Sequence, residues 1–281
     1  MKTAFLMTLL TVLLVLVGGG QGMVFMLILS VAMNFFSYWY SDKMVLAQYR
    51  ARAVDENSAP ALYGIVKRLA ERAGLPMPKV YIIDDQVPNA FATGRNPEHA
   101  AVAVTTGLMN YLSPKEIEGV LGHEMTHVRN RDILIGSVAA TMAGLITTIT
   151  RFAFWFGGGR DNEDRNPVAA ILLLVLAPIA AAIIQLAVSR SREYKADEGG
   201  ARLCGNPDYL ADALEKISGV STRRSMAHAT EATAHMFIVC PFSKRDMSTL
   251  FSTHPATSER IQLLRKQAAE MRARGEIDSN T

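Results

Sequence analysis

The residues best suited to chemistry form the short run His123-Glu124-Met125-Thr126-His127. Two histidines at positions i and i+4 of a helix lie on one face, where both imidazoles can bind the same metal ion. Glu124 lies about 100° around the helix, from where its carboxylate reaches a water molecule on that metal. The pattern predicts one zinc ion per chain, with Glu124 as the base for its water. The alternative is a surface helix with two solvated histidines.

A catalytic zinc takes three protein ligands and a water, so a third ligand is expected elsewhere in the chain. Glu193 and Asp197 are spaced i and i+4 and therefore share one face of a helix. One of these carboxylates can bind the metal while the other accepts a hydrogen bond from a ligand histidine. The pattern alone leaves Glu193 and Glu198 as alternatives for the third ligand.

A helix must present the two histidines, and the sequence marks where that helix begins. Ser113-Pro114-Lys115-Glu116 is a capping box with proline at the first helical position. Apolar residues at helical spacing follow it and predict a buried face. Further helices are predicted over 60–73, closed by Gly74, over 208–218 and over 258–274, and short strands over 80–83, 90–93 and 101–105.

The composition excludes several classes of protein. Of the 281 residues, 49% are hydrophobic and only 20% are charged, against about a quarter in soluble domains. Three stretches hold no charged residue: Thr3–Ser41, Ile133–Thr150 and Asn166–Ser189. They exclude an ordinary cytosolic protein, a disordered chain and a disulfide-stapled secreted domain. The net charge of +3 indicates no nucleic-acid partner, and Cys204 and Cys240 are interpreted as reduced cytosolic thiols.

The uncharged stretches predict four membrane-spanning helices, because crossing the hydrocarbon of a bilayer takes roughly 20 apolar residues. Gly18-Gly19-Gly20-Gln21-Gly22 divides the first stretch into a helical hairpin. A cleaved signal peptide is the alternative for its first half, but no small-residue cleavage site follows cleanly. The predicted spans cover residues 4–17, 23–40, 133–156 and 167–188.

Lysine and arginine set the expected orientation of these spans. The loop at 18–22 holds none, and the basic residues at 151–165 are offset by acids. The positive-inside rule then places both termini and both large polar segments in the cytoplasm. The predicted organisation is a transmembrane hairpin over 1–41, a first polar part over 42–132, two further spans over 133–188 with an external loop at 157–166, and a second polar part over 189–281.

Four sequence blocks together resemble one family, the HtpX-type heat-shock membrane metalloproteases, which are relatives of the CAAX prenyl endopeptidases. The blocks are His123–Asp132, Ser191–Asp197, Asn89–Gly94 and Ser252–Pro255. The order of the predicted spans around them also fits, and the resemblance covers essentially the whole chain. It implies a mainly α-helical fold with a small β-sheet, made of four transmembrane helices and a cytosolic zincin-like (gluzincin) metalloprotease domain.

The resemblance implies roles for individual residues. His123, His127 and Glu193 would bind the zinc and Glu124 would act as the base, which leaves Asp197 as the partner of a ligand histidine. His254 and Arg260 would stabilise the oxyanion, although His254 also fits a plain turn or helix-cap histidine. An edge strand would hold the substrate through main-chain hydrogen bonds. The residues of this strand would be Asn89, Ala90, Phe91 and Ala92. The alternative for them is a half-buried hairpin strand with no role in binding.

The resemblance also implies a multi-pass protein of the bacterial inner membrane, with its catalytic domain facing the cytoplasm. Its substrates would be misfolded or damaged membrane proteins and unfolded polypeptides. Three other classes of protein are alternatives. An intramembrane metalloprotease would carry the histidines inside an apolar span, whereas charged residues flank them here. A prenyl-protein endopeptidase would have more spans, and a non-catalytic zinc scaffold would have no use for Glu124.

Overall fold

The computed structural model of the chain describes residues 25, 28, 32, 39–136, 138, 167–221 and 255–278. The chain divides into two compact units, Met1–Ser41 and Asp42–Thr281. Several predictions fall wholly or almost wholly outside the described residues, namely the spans over 4–17, 23–40 and 133–156, the loop at 157–166, and His254.

A four-stranded mixed sheet lies in the second unit. Its strands are β1 (Arg52–Val54), β2 (Lys79–Ile83), β3 (Ala90–Thr93) and β4 (Ala101–Thr105). Their spatial order is β1-β2-β4-β3, with β2 parallel to β4 and both other pairs antiparallel. β3 is therefore an edge strand. The three predicted strands are confirmed, and β1 is an addition that the sequence analysis missed.

The sheet is buried on both faces at its centre. In β4, Val102 and Val104 belong to the main core, whereas Ala101 and Ala103 pack in a smaller cluster with Phe91. This division follows from the alternation of side chains along a strand. β4 thus presents its valines to the main core on one face of the sheet and its alanines to the smaller cluster on the other.

The helices begin and end where local signals place them. In order they are α1 (Ser41–Gln48), α2 (Pro60–Ala73), α3 (Thr106–Tyr111), α4 (Pro114–Asn130), α5 (Pro167–Cys204), α6 (Pro207–Ser221) and α7 (Thr257–Ala273). Gly74 ends α2 in the left-handed conformation, φ 65°. Both hydrogen bonds of the Ser113–Glu116 capping box are formed at the start of α4. The predicted helices over 60–73, 208–218 and 258–274 are confirmed, and α1 and α3 were not predicted.

The helix α5 runs unbroken through the predicted fourth span and on to Cys204, where the next residue, Gly205, has φ 83°. This confirms the prediction that one helix continues from the uncharged stretch into the second polar segment. Among the described residues, no helix meets the length and apolarity required to cross a membrane.

One hydrophobic core joins the sheet to the helices that carry the polar residues of interest. Its fully buried members include Leu69 of α2, Leu121 of α4, Leu214 of α6 and Leu264 of α7. The helix α5 adds Ala201 and Leu203 to the same core, so packing sets the relative positions of α4, α5, α6 and α7.

Cys204 should resist thiol reagents while the chain is folded. It is a buried free cysteine whose Sγ lies 3.2 Å from the carbonyl oxygen of Asn206. Burial raises the pKa of this thiol to about 11, so roughly one thiol in a thousand is ionised at pH 8. In a Cys240→Ala variant, iodoacetamide should label Cys204 only slowly until guanidinium unfolds the protein. Rapid labelling of the folded chain would contradict this.

Candidate metal centre

Two helices bring three potential ligands together. His123 and His127 lie on α4, and their Nε2 atoms are 3.1 Å apart. Glu193 lies on α5, with Oε2 3.8 Å from Nε2 of His123 and Oε1 3.5 Å from Nε2 of His127. The three donor atoms lie within 4.8 Å of one another. The structure thus assembles the three residues that the sequence motifs single out as ligands.

The other nitrogen of each ring faces a carboxylate. Nδ1 of His123 is 2.8 Å from Oδ1 of Asp197, and Nδ1 of His127 is 2.6 Å from Oδ2 of Asp132. An ionised carboxylate only accepts hydrogen bonds, so Nδ1 of His127 carries a ring proton, and the contact of His123 with Asp197 favours the same arrangement. The two Nε2 atoms face each other at 3.1 Å, where they can share a proton or a metal ion. The donor set therefore fits a metal ion.

The charges around the cluster favour a positive charge beside the Nε2 atoms of His123 and His127. Burial by itself would lower the pKa of His127, but the hydrogen bond with Asp132 and the charges of Glu193 and Glu124 raise it to about 9. All four neighbouring carboxylates, those of Glu124, Asp132, Glu193 and Asp197, are buried. Nitrogen and carboxylate donors in a three-ligand set are typical of catalytic zinc.

Glu124 lies beside the ligands without being one of them. Its side chain is buried, and its Oε2 accepts a hydrogen bond of 2.8 Å from the backbone N–H of Ala92 on β3. Burial raises the pKa of this carboxyl, with the neighbouring His123 and His127 acting in the opposite direction. A carboxylate with a raised pKa is a stronger base than a solvated one, which suits a proton acceptor.

The two ligand helices touch backbone to backbone. A Cβ added to Gly200 of α5 would lie 2.5 Å from the backbone N of His123, and one added to Gly122 of α4 would lie 2.8 Å from the carbonyl oxygen of Gly200. No ordinary side chain fits at such distances. The pair of glycines therefore sets the separation between the helix carrying the histidines and the helix carrying Glu193.

Glu193 and Glu198, the two alternatives for a third ligand, have different surroundings. Glu198 pairs with Arg202 at 2.8 Å, and 58% of its side chain is exposed. Glu193 and Asp197 point instead toward the histidines, and both are buried. The acidic pair at i and i+4 thus faces the site, and Glu198 faces solvent.

The remaining predicted site residues are placed as follows. Arg260 is buried, with Nε 2.8 Å from Oδ2 and Nη2 2.7 Å from Oδ1 of Asp197. Asn89 is buried just before β3, where its backbone N–H donates to Oγ1 of Thr105. The next three residues, Ala90, Phe91 and Ala92, belong to the edge strand β3.

Asp132 is a site residue whose role the sequence analysis missed, although it lies within one of the family blocks. It follows Arg131, which ends α4 in the left-handed conformation with φ 56°. That conformation turns the chain back, so that the aspartate reaches His127. Helical periodicity stops at the cap and gives no signal for this contact.

An Asp132→Ala variant should lose about 10- to 100-fold in zinc affinity, the usual effect of removing a carboxylate that orients a ligand histidine. Without Asp132 the ring of His127 is free to rotate and its proton can move to Nε2. Competition with a chromophoric chelator measures the affinity. Asp84→Ala, at an exposed aspartate outside the site, is the matched control. Equal affinities for the two variants would refute the role of Asp132.

Two helix-borne histidines with a glutamate between them, and a carboxylate from another helix, form a site that could hold a metal ion. The family model described as Peptidase family M48 matches residues 56–268 of the chain. The chain therefore belongs to peptidase family M48.

Relatives and a solved structure agree with this assignment. The Protease HtpX homolog of Desulfatibacillum aliphaticivorans is 55% identical over 273 residues, covering 94% of this chain and 88% of the relative. The Protease HtpX homolog of Burkholderia thailandensis is 53% identical over 277 residues, covering 95% and 96%. A crystal structure of S. mikatae Ste24p is similar in fold, with a TM-score of 0.58 at 18% identity, covering 93% of this chain and 62% of that chain. This chain thus spans less than two thirds of that protein's length.

These findings confirm the family that the sequence blocks indicate. They also confirm the prediction of a membrane metalloprotease, and of a mainly helical fold with a small β-sheet.

Proposed function

We propose that the chain is a zinc endopeptidase in which His123, His127 and Glu193 hold the metal and Glu124 is the general base. The observation that carries this proposal is the convergence of three donor atoms within 4.8 Å beside a buried glutamate that is not needed as a ligand. When bound, zinc would polarise the scissile carbonyl and lower the pKa of a bound water toward neutrality. A non-catalytic scaffold with a structural zinc would not need Glu124.

The protein's own groups carry the proton transfers. Glu124 takes the proton of the attacking water and delivers it to the leaving amine, a task that its buried position supports. We assign donation to the oxyanion to His254, through the family block that contains it. Asp132 and Asp197 hold the two rings, so that each histidine keeps its Nε2 directed at the metal.

The edge strand is the proposed substrate platform. β3 pairs with β4 on one side, and on its other side the N–H of Ala92 reaches Glu124 at 2.8 Å. An extended peptide beside Asn89, Ala90, Phe91 and Ala92 would therefore lie next to the base. Main-chain hydrogen bonds to a strand are independent of side chains, which suits a protease acting on many unfolded sequences.

The proposed substrates are misfolded or damaged proteins of the inner membrane, cut on their cytoplasmic side. α5 carries both the uncharged stretch that ends at Ser189 and the ligand Glu193. Four residues of helix correspond to about 6 Å along the axis, so the metal site would lie close to the bilayer surface. A prenyl-protein endopeptidase is the second candidate, and the four predicted spans are fewer than such an enzyme carries.

The direct test is zinc analysis and casein cleavage with the detergent-solubilised protein. We expect one zinc per chain, loss of cleavage on treatment with a chelator, and recovery when zinc is returned. Cleavage that survives complete removal of the metal would refute the proposal.

The orientation is tested by labelling single cysteines in intact cells, in a chain whose two native cysteines are alanine. A cysteine placed within 157–166 should react with an impermeant thiol reagent added outside. One replacing Glu98, which is exposed beside the sheet, should not react until the cells are opened. The reverse pattern would place the active site on the outer side of the membrane.

A further inference from the structure

Arg260 is unusual among the basic residues of the chain. Of the lysine and arginine side chains that the structure describes, it alone is buried, with 1% of its surface exposed. Burying a guanidinium is costly unless several partners compensate for its lost hydration. The groups that surround Arg260 therefore indicate its role.

Its partners are the two acidic residues of the metal centre on α5. Nε and Nη2 bind the two carboxylate oxygens of Asp197 at 2.8 and 2.7 Å, and Nη1 lies 3.7 Å from Oε2 of Glu193. This is the two-pronged geometry in which a guanidinium binds a carboxylate most strongly.

We propose that Arg260 is a positioning residue that assigns the roles of the two carboxylates: it reserves Asp197 for His123 and leaves Glu193 as the metal ligand. The inference deepens the proposed function and rests on it.

The two acids would otherwise compete. Asp197 and Glu193 are one helical turn apart on the same face of α5, and both approach His123: Oδ1 of Asp197 is 2.8 Å from Nδ1, and Oε2 of Glu193 is 3.8 Å from Nε2. Either carboxylate is a chemically acceptable zinc ligand. With both oxygens of Asp197 bound to the guanidinium, that carboxylate is held in place as the partner of the imidazole Nδ1. The guanidinium also offsets part of the negative charge of the buried acids.

The rest of α7 holds Arg260 in place. Arg265 binds Asp208 and Asp212 of α6, the latter at 2.6 Å, and Arg272 binds Asp208 as well. Leu264, next to Arg265 in the sequence, is fully buried in the main core. The guanidinium is thus delivered by a helix that is anchored independently of the metal centre.

The position of Arg260 favours a positioning role. The family resemblance implies a different role, direct donation of a hydrogen bond to the oxyanion. A donor to the oxyanion must reach the carbonyl oxygen of the substrate. Three nitrogens of Arg260 are directed at carboxylates on α5, and the side chain is out of contact with solvent. The two roles give different results in a metal-binding experiment.

The experiment compares Arg260→Gln and Arg260→Lys with Lys266→Gln, a matched loss of charge at an exposed position of the same helix. Zinc affinity is measured by chelator competition, and the ligand set is followed by the visible absorption spectrum of the cobalt-substituted protein. We expect Arg260→Gln to bind zinc about 10- to 100-fold more weakly with an altered cobalt spectrum. Arg260→Lys should recover part of the affinity, and Lys266→Gln should behave as wild type.

An Arg260→Gln protein with wild-type zinc affinity and cobalt spectrum, but slower cleavage, would overturn the inference in favour of donation to the oxyanion. Thermal unfolding checks that each variant is folded. If Arg260→Gln does not fold, Arg260→Lys decides, because lysine keeps the charge and loses the two-pronged contact. A wild-type protein that binds zinc without cleaving casein would reject the proposed function, while the affinity comparison would still decide this inference.

Discussion

Glu124→Gln should bind zinc at wild-type stoichiometry and lose casein cleavage by about 10²–10⁴-fold, the range that general base catalysis contributes. The amide has nearly the same shape as the carboxylate, so the ligands His123, His127 and Glu193 are undisturbed. It cannot accept the proton of the attacking water at neutral pH. Zinc content by elemental analysis and initial rates on casein measure the two effects separately.

The control for this variant is Glu198→Gln, which makes the same chemical change at an exposed glutamate on α5. It should keep both zinc and activity. His123→Ala and His127→Ala should lose metal and activity together, because each removes a ligand. Loss of zinc from Glu124→Gln, or turnover at the wild-type rate, would contradict its role as base.

Gly200→Ala is expected to disrupt the metal centre strongly, although it changes none of the ligands. The added methyl group would lie 2.5 Å from the backbone N and 2.7 Å from the Cα of His123. Backbone atoms cannot move aside as a flexible side chain can, so α4 and α5 must separate. Overpacking of this kind costs about 1–3 kcal/mol of stability. Because the ligands are divided between these two helices, zinc affinity should fall more than 10-fold, about the loss caused by disturbing a ligand's supporting contacts.

Gly219→Ala is the matched control, since Gly219 lies in α6, where an added Cβ meets no atom within 4 Å among the described residues beyond its own helix backbone. Alanine favours a helix over glycine by about 1 kcal/mol, so this variant should be at least as stable as wild type. Thermal unfolding and chelator competition on both variants give the comparison. Normal zinc affinity in Gly200→Ala would mean that the contact between the two helices does not position the ligands.

Local signals in the sequence predicted much of the fold around the site. The capping box at Ser113–Glu116 marked the start of α4, and Gly74 marked the end of α2. Both were predictable because a cap depends on neighbouring residues alone. The spacing of His123 and His127 placed them on one face of α4 for the same reason. The three predicted strands followed from short apolar runs bounded by turn residues.

Features that depend on distant parts of the chain could not be predicted in this way. The choice of Glu193 over Glu198 depends on how α5 is rotated against α4, which packing decides. Asp132 reaches His127 only because Arg131 turns the chain back. β1 has just three residues, too few for a pattern, and its pairing with β2 is what makes it a strand.

Contacts to the backbone are equally hidden from pattern reasoning. The hydrogen bond from the N–H of Ala92 to Glu124 has no side-chain signature on the strand.

The buried position of Arg260 arises from the docking of α7 on α6 through Arg265 and Arg272. A helix with exposed charged residues gives no indication that one of its arginines enters the core.

The central claim is that His123, His127 and Glu193 hold one catalytic zinc, and X-ray absorption at the zinc edge of the purified protein tests it most directly. The expected spectrum is that of a four-coordinate site with two imidazoles and two oxygen ligands, one from Glu193 and one from water, at distances of about 2.0–2.2 Å. A sulfur neighbour at about 2.3 Å would place the metal at a cysteine, and a site with fewer than two imidazoles would place it away from His123 and His127. Either result would contradict the account.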